Sequence, residues 1–117
     1  MTISMLEDVQ PFDVLLARVW FEDVPGVYKV RPVVALGSAS GRLSVSAVKV
    51  TSHAPREECA GEVFLADWRS EGLAKPSVAR CSQVFEIELS DVFRRMGSLS
   101  SRDCAALLAG LMEAGAM

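Results

Sequence analysis

The sequence predicts a small, mainly β fold with one C-terminal α-helix, arranged as an antiparallel barrel or curled sheet. Three observations carry that reading. Short runs rich in Val, Ile, Phe and Trp recur between turns bearing Pro, Gly and Ser, without strand–helix–strand alternation. RLSVSAVKVTS (42–52) alternates Leu43, Val45 and Ala47 on one face with Ser44, Ser46, Val48 and Val50 on the other, which is the period of a strand. Cys104, Leu107, Leu108, Leu111 and Met112 recur at helical spacing near the end of the chain, the pattern of an amphipathic helix packed on a sheet.

The elements follow in order along one domain, 1–117, with residues 1–10 as a loose lead-in. DVLLARVWF (13–21) reads as the first strand. EDVPGVYK (22–29) holds Pro25-Gly26 and charges, a hairpin loop longer than the tight type. RPVVALG (31–37) is the second strand, SASG (38–41) a turn, and 42–52 the third strand. HAPREECAG (53–61) is a polar loop and EVFLAD (62–67) a fourth strand. In DWRSEGL, Asp67 suits an N-cap and Gly72 a terminator, predicting a one-turn helix. KPSVARCSQVFEIEL (75–89) carries a strand pair or one bent strand, and Ser90 is placed to cap a helical turn over DVFRR (91–95). Ser100 with Asp103 forms a variant capping box, and Gly115 is placed to stop the last helix.

Half of the 117 residues are apolar and 23% are charged, the composition of one globular domain. The longest apolar run, around Val14–Phe21, is broken by Arg18 and is too short for a membrane span. MTISMLEDVQ lacks a basic n-region, so a cytoplasmic protein is expected. Cys59, Cys81 and Cys104 are an odd number without CxxC spacing, which argues against a disulfide framework or structural zinc and for buried or half-buried thiols. A net charge of −3 does not advertise a polyanion binder, yet a groove on an acidic protein can be basic.

Proline holds the residue before it in extended conformation, so Arg31-Pro32 fixes Arg31 at the lip of a strand. The planar guanidinium suits phosphate. Thr51, Ser52 and His53 fall where the third strand gives way to a loop, a common position for binding groups. With the SASG turn centred near 39–40, residue 31 pairs near 48–49, so Arg31 and Thr51 occupy the same sheet end without being direct partners. That placement permits a shared anion site. A lone His53 excludes a two-histidine acid–base scheme within one chain, and no phosphate loop, GxSxG, HExxH or EF-hand spacing occurs, so neither cofactor nor metal is expected.

In order and spacing, the segments resemble the MazF/PemK family of toxin endoribonucleases from type II toxin–antitoxin pairs. The matching stretches are FDVLLARVWFEDVPG, YKVRPVVAL, VKVTS, DWRSEGLAKPSVARCSQVFEI and RRMGSLSSRDCAALLAGL, from about residue 11 to 112. The resemblance implies a small SH3-like barrel with a C-terminal helix, paired as a homodimer. It implies metal-independent, sequence-specific cleavage of single-stranded RNA, the 2′-hydroxyl attacking its own phosphate to leave a 2′,3′-cyclic phosphate. Arg31 and Thr51 then take the catalytic positions, with Lys29, Ser52, His53, Arg80 and Gln83 binding substrate. It also implies a cognate antitoxin whose flexible acidic tail lies along the RNA groove, and a 22–29 loop that covers the RNA. The chain departs from the family pattern at Val30, at Gly37 in ALGSAS, and at Phe85, so a catalytically inactive member and a gyrase-blocking toxin on the same barrel stay open as alternatives.

Overall fold

A computed structural model describes residues 9–37, 44–52, 54 and 60–116. Six strands, β1 (Asp13–Trp20), β2 (Tyr28–Ala35), β3 (Ser44–Thr51), β4 (Glu62–Phe64), β5 (Val78–Glu88) and β6 (Val92–Ser98), precede helix α1 (Ser101–Glu113). They form one antiparallel sheet in the order β4-β5-β3-β2-β1-β6. The two end strands are not neighbours, so the sheet curls without closing into a strict barrel. None of the described helices is long and apolar enough to cross a membrane.

Both faces of the sheet are buried, each by a different device. Alternate residues Leu15, Ala17, Val33, Ala35, Val45, Ala47 and Ile87 join Val9 and Val92 in one apolar cluster. Their neighbours Val14, Val34, Val48 and Val50 point the other way, against Leu65, Leu73, Leu107 and Leu111. The first cluster is enclosed by the sheet's own curl and the second is covered by α1 and the 65–73 segment. Strands buried on both faces need apolar residues at consecutive positions, as in Val33-Val34-Ala35.

One irregularity makes this possible in β5. Val48 pairs with Val84 but Lys49 pairs with Arg80, so Cys81–Gln83 stand outside the ladder. Beyond this bulge the odd-numbered residues change sides: Ala79 and Cys81 belong to the helix-covered cluster, whereas Phe85 and Ile87 pack with the other. The 75–89 stretch is thus one bent strand.

Several local expectations change. β2 begins at Tyr28, so Arg31 is its fourth residue, opposite Ala17 of β1, and not a residue at the strand's mouth. Proline is tolerated there because β2 pairs with β3 only over Val33–Ala35, leaving Pro32 on an edge. The hairpin loop closes around Pro25-Gly26, with Gly26 at φ 80° and the Val27 N–H donating to the Val24 carbonyl. DWRSEGL is a hydrogen-bonded turn, not a helix: the Leu73 N–H donates to the Trp68 carbonyl and Gly72 adopts φ 90°. DVFRR is strand after a 3₁₀ turn over Leu89–Asp91, and no side chain caps that turn. The SASG turn, Leu43, Cys59 and residues 1–8 of the lead-in lie outside the described residues, while Val9 is buried in the core.

Helix α1 is capped as the sequence suggests, with a substitution. Ser100 Oγ accepts from the Asp103 N–H at 3.2 Å, but Asp103 does not return the bond. Its carboxylate accepts instead from the N–H groups of Ala66 and Asp67, at 3.0 and 2.9 Å. The Ser100 N–H donates to Glu71, whose carboxyl completes the box from outside the helix. At the other end Gly115 and Ala116 donate to the Met112 and Leu111 carbonyls, a Schellman stop with Gly115 at φ 75°. Leu107 and Leu111 are buried and Cys104 half-buried, whereas Leu108 and Met112 of the expected stripe are exposed. Burial pushes the Cys81 thiol up to about 11, so it acts as a core group.

Candidate functional site

Strands β2 and β3 pair over three residues and then part. Their ladder joins Val33 to Lys49 and Ala35 to Ala47, and the same register sets Arg31 opposite Thr51 across the fork. The partner expected for Arg31, residue 48–49, is two or three residues short of this.

A hollow of about 690 Å³ opens in the fork, lined by Arg31, Pro32, Lys49, Thr51, Ser52 and Arg80 among others. A larger one of about 1150 Å³ is lined by Trp20, Gln83, Phe85 and Glu86 among others, and again by Arg31 and Lys49. These two cations are the residues the hollows have in common. Gln83, exposed on the β5 bulge, thus belongs to the larger hollow and not to the fork that holds Thr51.

Alternation along the strands places Arg31, Lys49 and Thr51 on the face that carries Val33, Val45 and Ala47, just past the edge of the apolar cluster. Arg80, the register partner of Lys49, shares that side. Their partners differ. Arg80 donates through Nε to Glu62 at 3.0 Å, and the Glu62 side chain is only 1% exposed. Arg18, Arg95 and Arg102 likewise face carboxylates. Among the described residues, Arg31 and Lys49 have no carboxylate within ion-pair distance. Burial first, then the charges of Arg31, Arg80 and Lys29, hold the Lys49 ammonium below the usual lysine range.

Thr51 brings a hydroxyl whose oxygen is buried and has no hydrogen-bond partner. Buried hydroxyls are normally paired, and this orphan lines the same hollow as the half-buried cations Arg31 and Lys49. Ser52 is exposed at the same strand end, and Lys29 is exposed on β2, lining neither hollow while adding to the field at Lys49. His53 lies outside the described residues. Sequence reasoning passed over Lys49, although a charged residue that continues the Val45, Ala47 face is the kind of break in alternation that signals a site. It also passed over Glu62, whose role appears only when β4 pairs with β5.

A second cluster, Asp67, Glu71 and Asp103, brings three carboxylates within 4.8 Å. All of its oxygens but one of Glu71 are engaged by Ser100, Arg102 and the backbone of the 66–67 turn, so it secures the helix start.

The curled antiparallel sheet, terminal helix and cationic fork define a small β protein with Arg31 and Lys49 gathered at one end of its sheet. The model of the PemK-like, MazF-like toxins of type II toxin–antitoxin systems matches residues 10–114, and the chain belongs to that family. Among solved structures it is similar to the Mycobacterium tuberculosis toxin MazF-mt6, with TM-score 0.71 and 24% identity over 90% of this chain and 97% of that one. A mycobacterial endoribonuclease in complex with its cognate antitoxin gives TM-score 0.71 at 12% identity, over 93% of this chain and 96% of that one. MazE-MazF from Deinococcus radiodurans gives TM-score 0.68 at 15% identity, over 93% and 97%. No curated protein sequence matches the chain.

Proposed function

We propose that this chain is the toxin of a type II toxin–antitoxin pair and an endoribonuclease that cleaves single-stranded RNA at specific sequences in the cytoplasm. The observation that carries the reading is the unpartnered, buried Thr51 hydroxyl, in register across the β2–β3 fork with Arg31, which has no carboxylate partner among the described residues. RNA brings its own nucleophile. The 2′-oxygen forms a bond to phosphorus, the bond from phosphorus to the 5′-oxygen breaks, and a 2′,3′-cyclic phosphate is left. The 2′-hydroxyl proton passes to water and water protonates the departing 5′-oxygen. The protein's task is to stabilise the extra negative charge on the five-coordinate phosphate. Arg31 does so through charge-assisted hydrogen bonds, and the Thr51 hydroxyl donates to a phosphate oxygen. The reading assigns no step to a metal ion. Lys29, Ser52, His53, Arg80 and Gln83 bind the strand, whose unstacked bases are read in the hollows.

A cognate antitoxin with a flexible acidic tail competes for the same cations, coupling its own folding to inhibition. Exposed Val24, Val27 and Tyr28 on the first hairpin offer apolar surface that supports association, and a homodimer is the proposed state.

Incubating the purified chain with a long single-stranded RNA and mapping the cut ends tests the reading. Cleavage leaving cyclic phosphates, reduced roughly a hundredfold or more by Arg31→Ala and by Thr51→Ala, is expected. Cleavage that survives both changes sinks the site. Absence of cleavage with growth arrest intact favours a toxin that acts by blocking another protein.

A further inference from the structure

We propose that Lys49 is a second phosphate-binding cation, holding with Arg31 a phosphate at the junction of the two hollows, with one nucleoside in each. This rests on the RNA reading and extends it to a residue and a substrate placement that the reading leaves open. Arg31 and Lys49 line both hollows, so a ligand passing from one to the other must cross between them. Neither cation has a carboxylate partner among the described residues, unlike Arg18, Arg80, Arg95 and Arg102. The two hollows, about 1150 and 690 Å³, each have room for a nucleoside. The larger offers Trp20 and Phe85 for stacking, and the smaller offers the exposed Ser52 hydroxyl.

Several charged groups bear on Lys49. From β2 come Lys29 and Arg31, and from β5 comes Arg80, backed by Glu62 of β4. The acids of the larger hollow are Glu22 and Asp23 of the hairpin loop, with Glu86, Glu88 and Asp91. Two of these are engaged: Glu86 accepts from Ser44 and Ser46, and Asp91 accepts from Trp20. Partial burial, and after it crowding by like charge, disfavour the lysine ammonium until an anion arrives. Binding of phosphate therefore favours protonation of Lys49, and affinity falls as pH rises through its lowered value toward 10.5.

The probe is a fluorescently labelled, mixed-sequence 2′-O-methyl RNA, which lacks the nucleophile and stays intact, read by anisotropy from neutral pH to about pH 10. Wild type should lose affinity with rising pH. Lys49→Arg should keep neutral-pH affinity and remove that loss. Lys49→Met should bind about tenfold more weakly at neutral pH, with thermal stability at least that of wild type. Lys49→Met binding as wild type, or Lys49→Arg keeping the pH-dependent loss, overturns the assignment. A 2′-O-methyl dinucleoside monophosphate should shift the amide resonances of Gln83 and Phe85 together with those of Ser52 and Ser77. Shifts confined to one hollow overturn the junction. Lys49-dependent binding without cleavage of natural RNA sinks the ribonuclease reading alone, whereas cleavage and binding untouched by Lys49→Met sink this inference alone.

Discussion

The Ser100 N–H donates to the Glu71 carboxyl at 2.8 Å, tying the start of the C-terminal helix to the turn that precedes β5. Glu71 is 1% exposed, and its second oxygen is buried without a partner. Burial, followed by the hydrogen bond with Asp103, pushes its carboxyl from 4.5 up to about 7. A proton on that second oxygen would supply a donor toward Asp103, the pairing that the bare carboxylate lacks.

Because the folded value lies above the unfolded one, the folded protein holds the extra proton between them, and the stability it confers is lost as pH climbs from about 4.5 through about 7. Glu71→Gln keeps the acceptor for Ser100 and supplies a fixed donor to Asp103. Its melting temperature should exceed that of wild type above neutrality, with the gap closing as pH falls. Parallel melting curves at every pH would refute the shared proton.

Thr51→Val removes a buried hydroxyl that has no partner and keeps the side chain's shape. Stability should hold or rise by about 1 kcal/mol, while RNA cleavage falls roughly a hundredfold. Thermal melting beside a cleavage assay checks both signs at once. A destabilised variant would mean that the hydroxyl serves the fold.

Glu62→Gln takes the charge from the partner that holds Arg80 at 3.0 Å. A loss of about 2 kcal/mol is expected from a half-buried charged pair, read by chemical denaturation. Since Arg80 binds substrate under the proposed function, KM for RNA should rise while kcat changes little. A fall in kcat alone would place Arg80 in the chemistry.

Gly97 sits against the turn that carries Glu71. A Cβ there would lie 2.4 Å from the Glu71 carbonyl oxygen and 2.8 Å from its carbon, and backbone cannot yield as a side chain does. Gly97→Ala should cost about 3 kcal/mol. Gly37→Ala, with only a Val45 methyl at 4.0 Å, should be close to neutral, and denaturation of the two variants together tests the contrast.

The strands, the terminal helix and its cap were legible because each rests on local rules: alternation in 42–52, helical spacing in 104–111, Ser100 before the helix. Arg31 and Thr51 were legible as a pair because they fall near one sheet end in any reasonable register. The register itself was not legible, since the turn that sets it carries no strict signature, and the estimate fell two or three residues short. Nor was the Glu71 carboxyl in the Ser100 cap, a contact between residues 29 apart in sequence. Lys49 needed the fork: a lysine in a strand reads as solvated until both neighbouring strands have been placed.

The bulge at Cys81–Gln83 has a consequence for how this chain can change length. Three residues stand outside the ladder, and that odd number turns β5 over, so its first part serves one core and its last part the other. Adding or removing one residue there would restore simple alternation and swing Phe85 and Ile87 away from the cluster they fill, exposing polar Glu86 to it instead. A gain or loss of two would keep every side chain on its present face. Insertions and deletions at this point are thus confined to even steps, and the segment bearing Gln83 can lengthen to reshape the larger hollow only in pairs of residues.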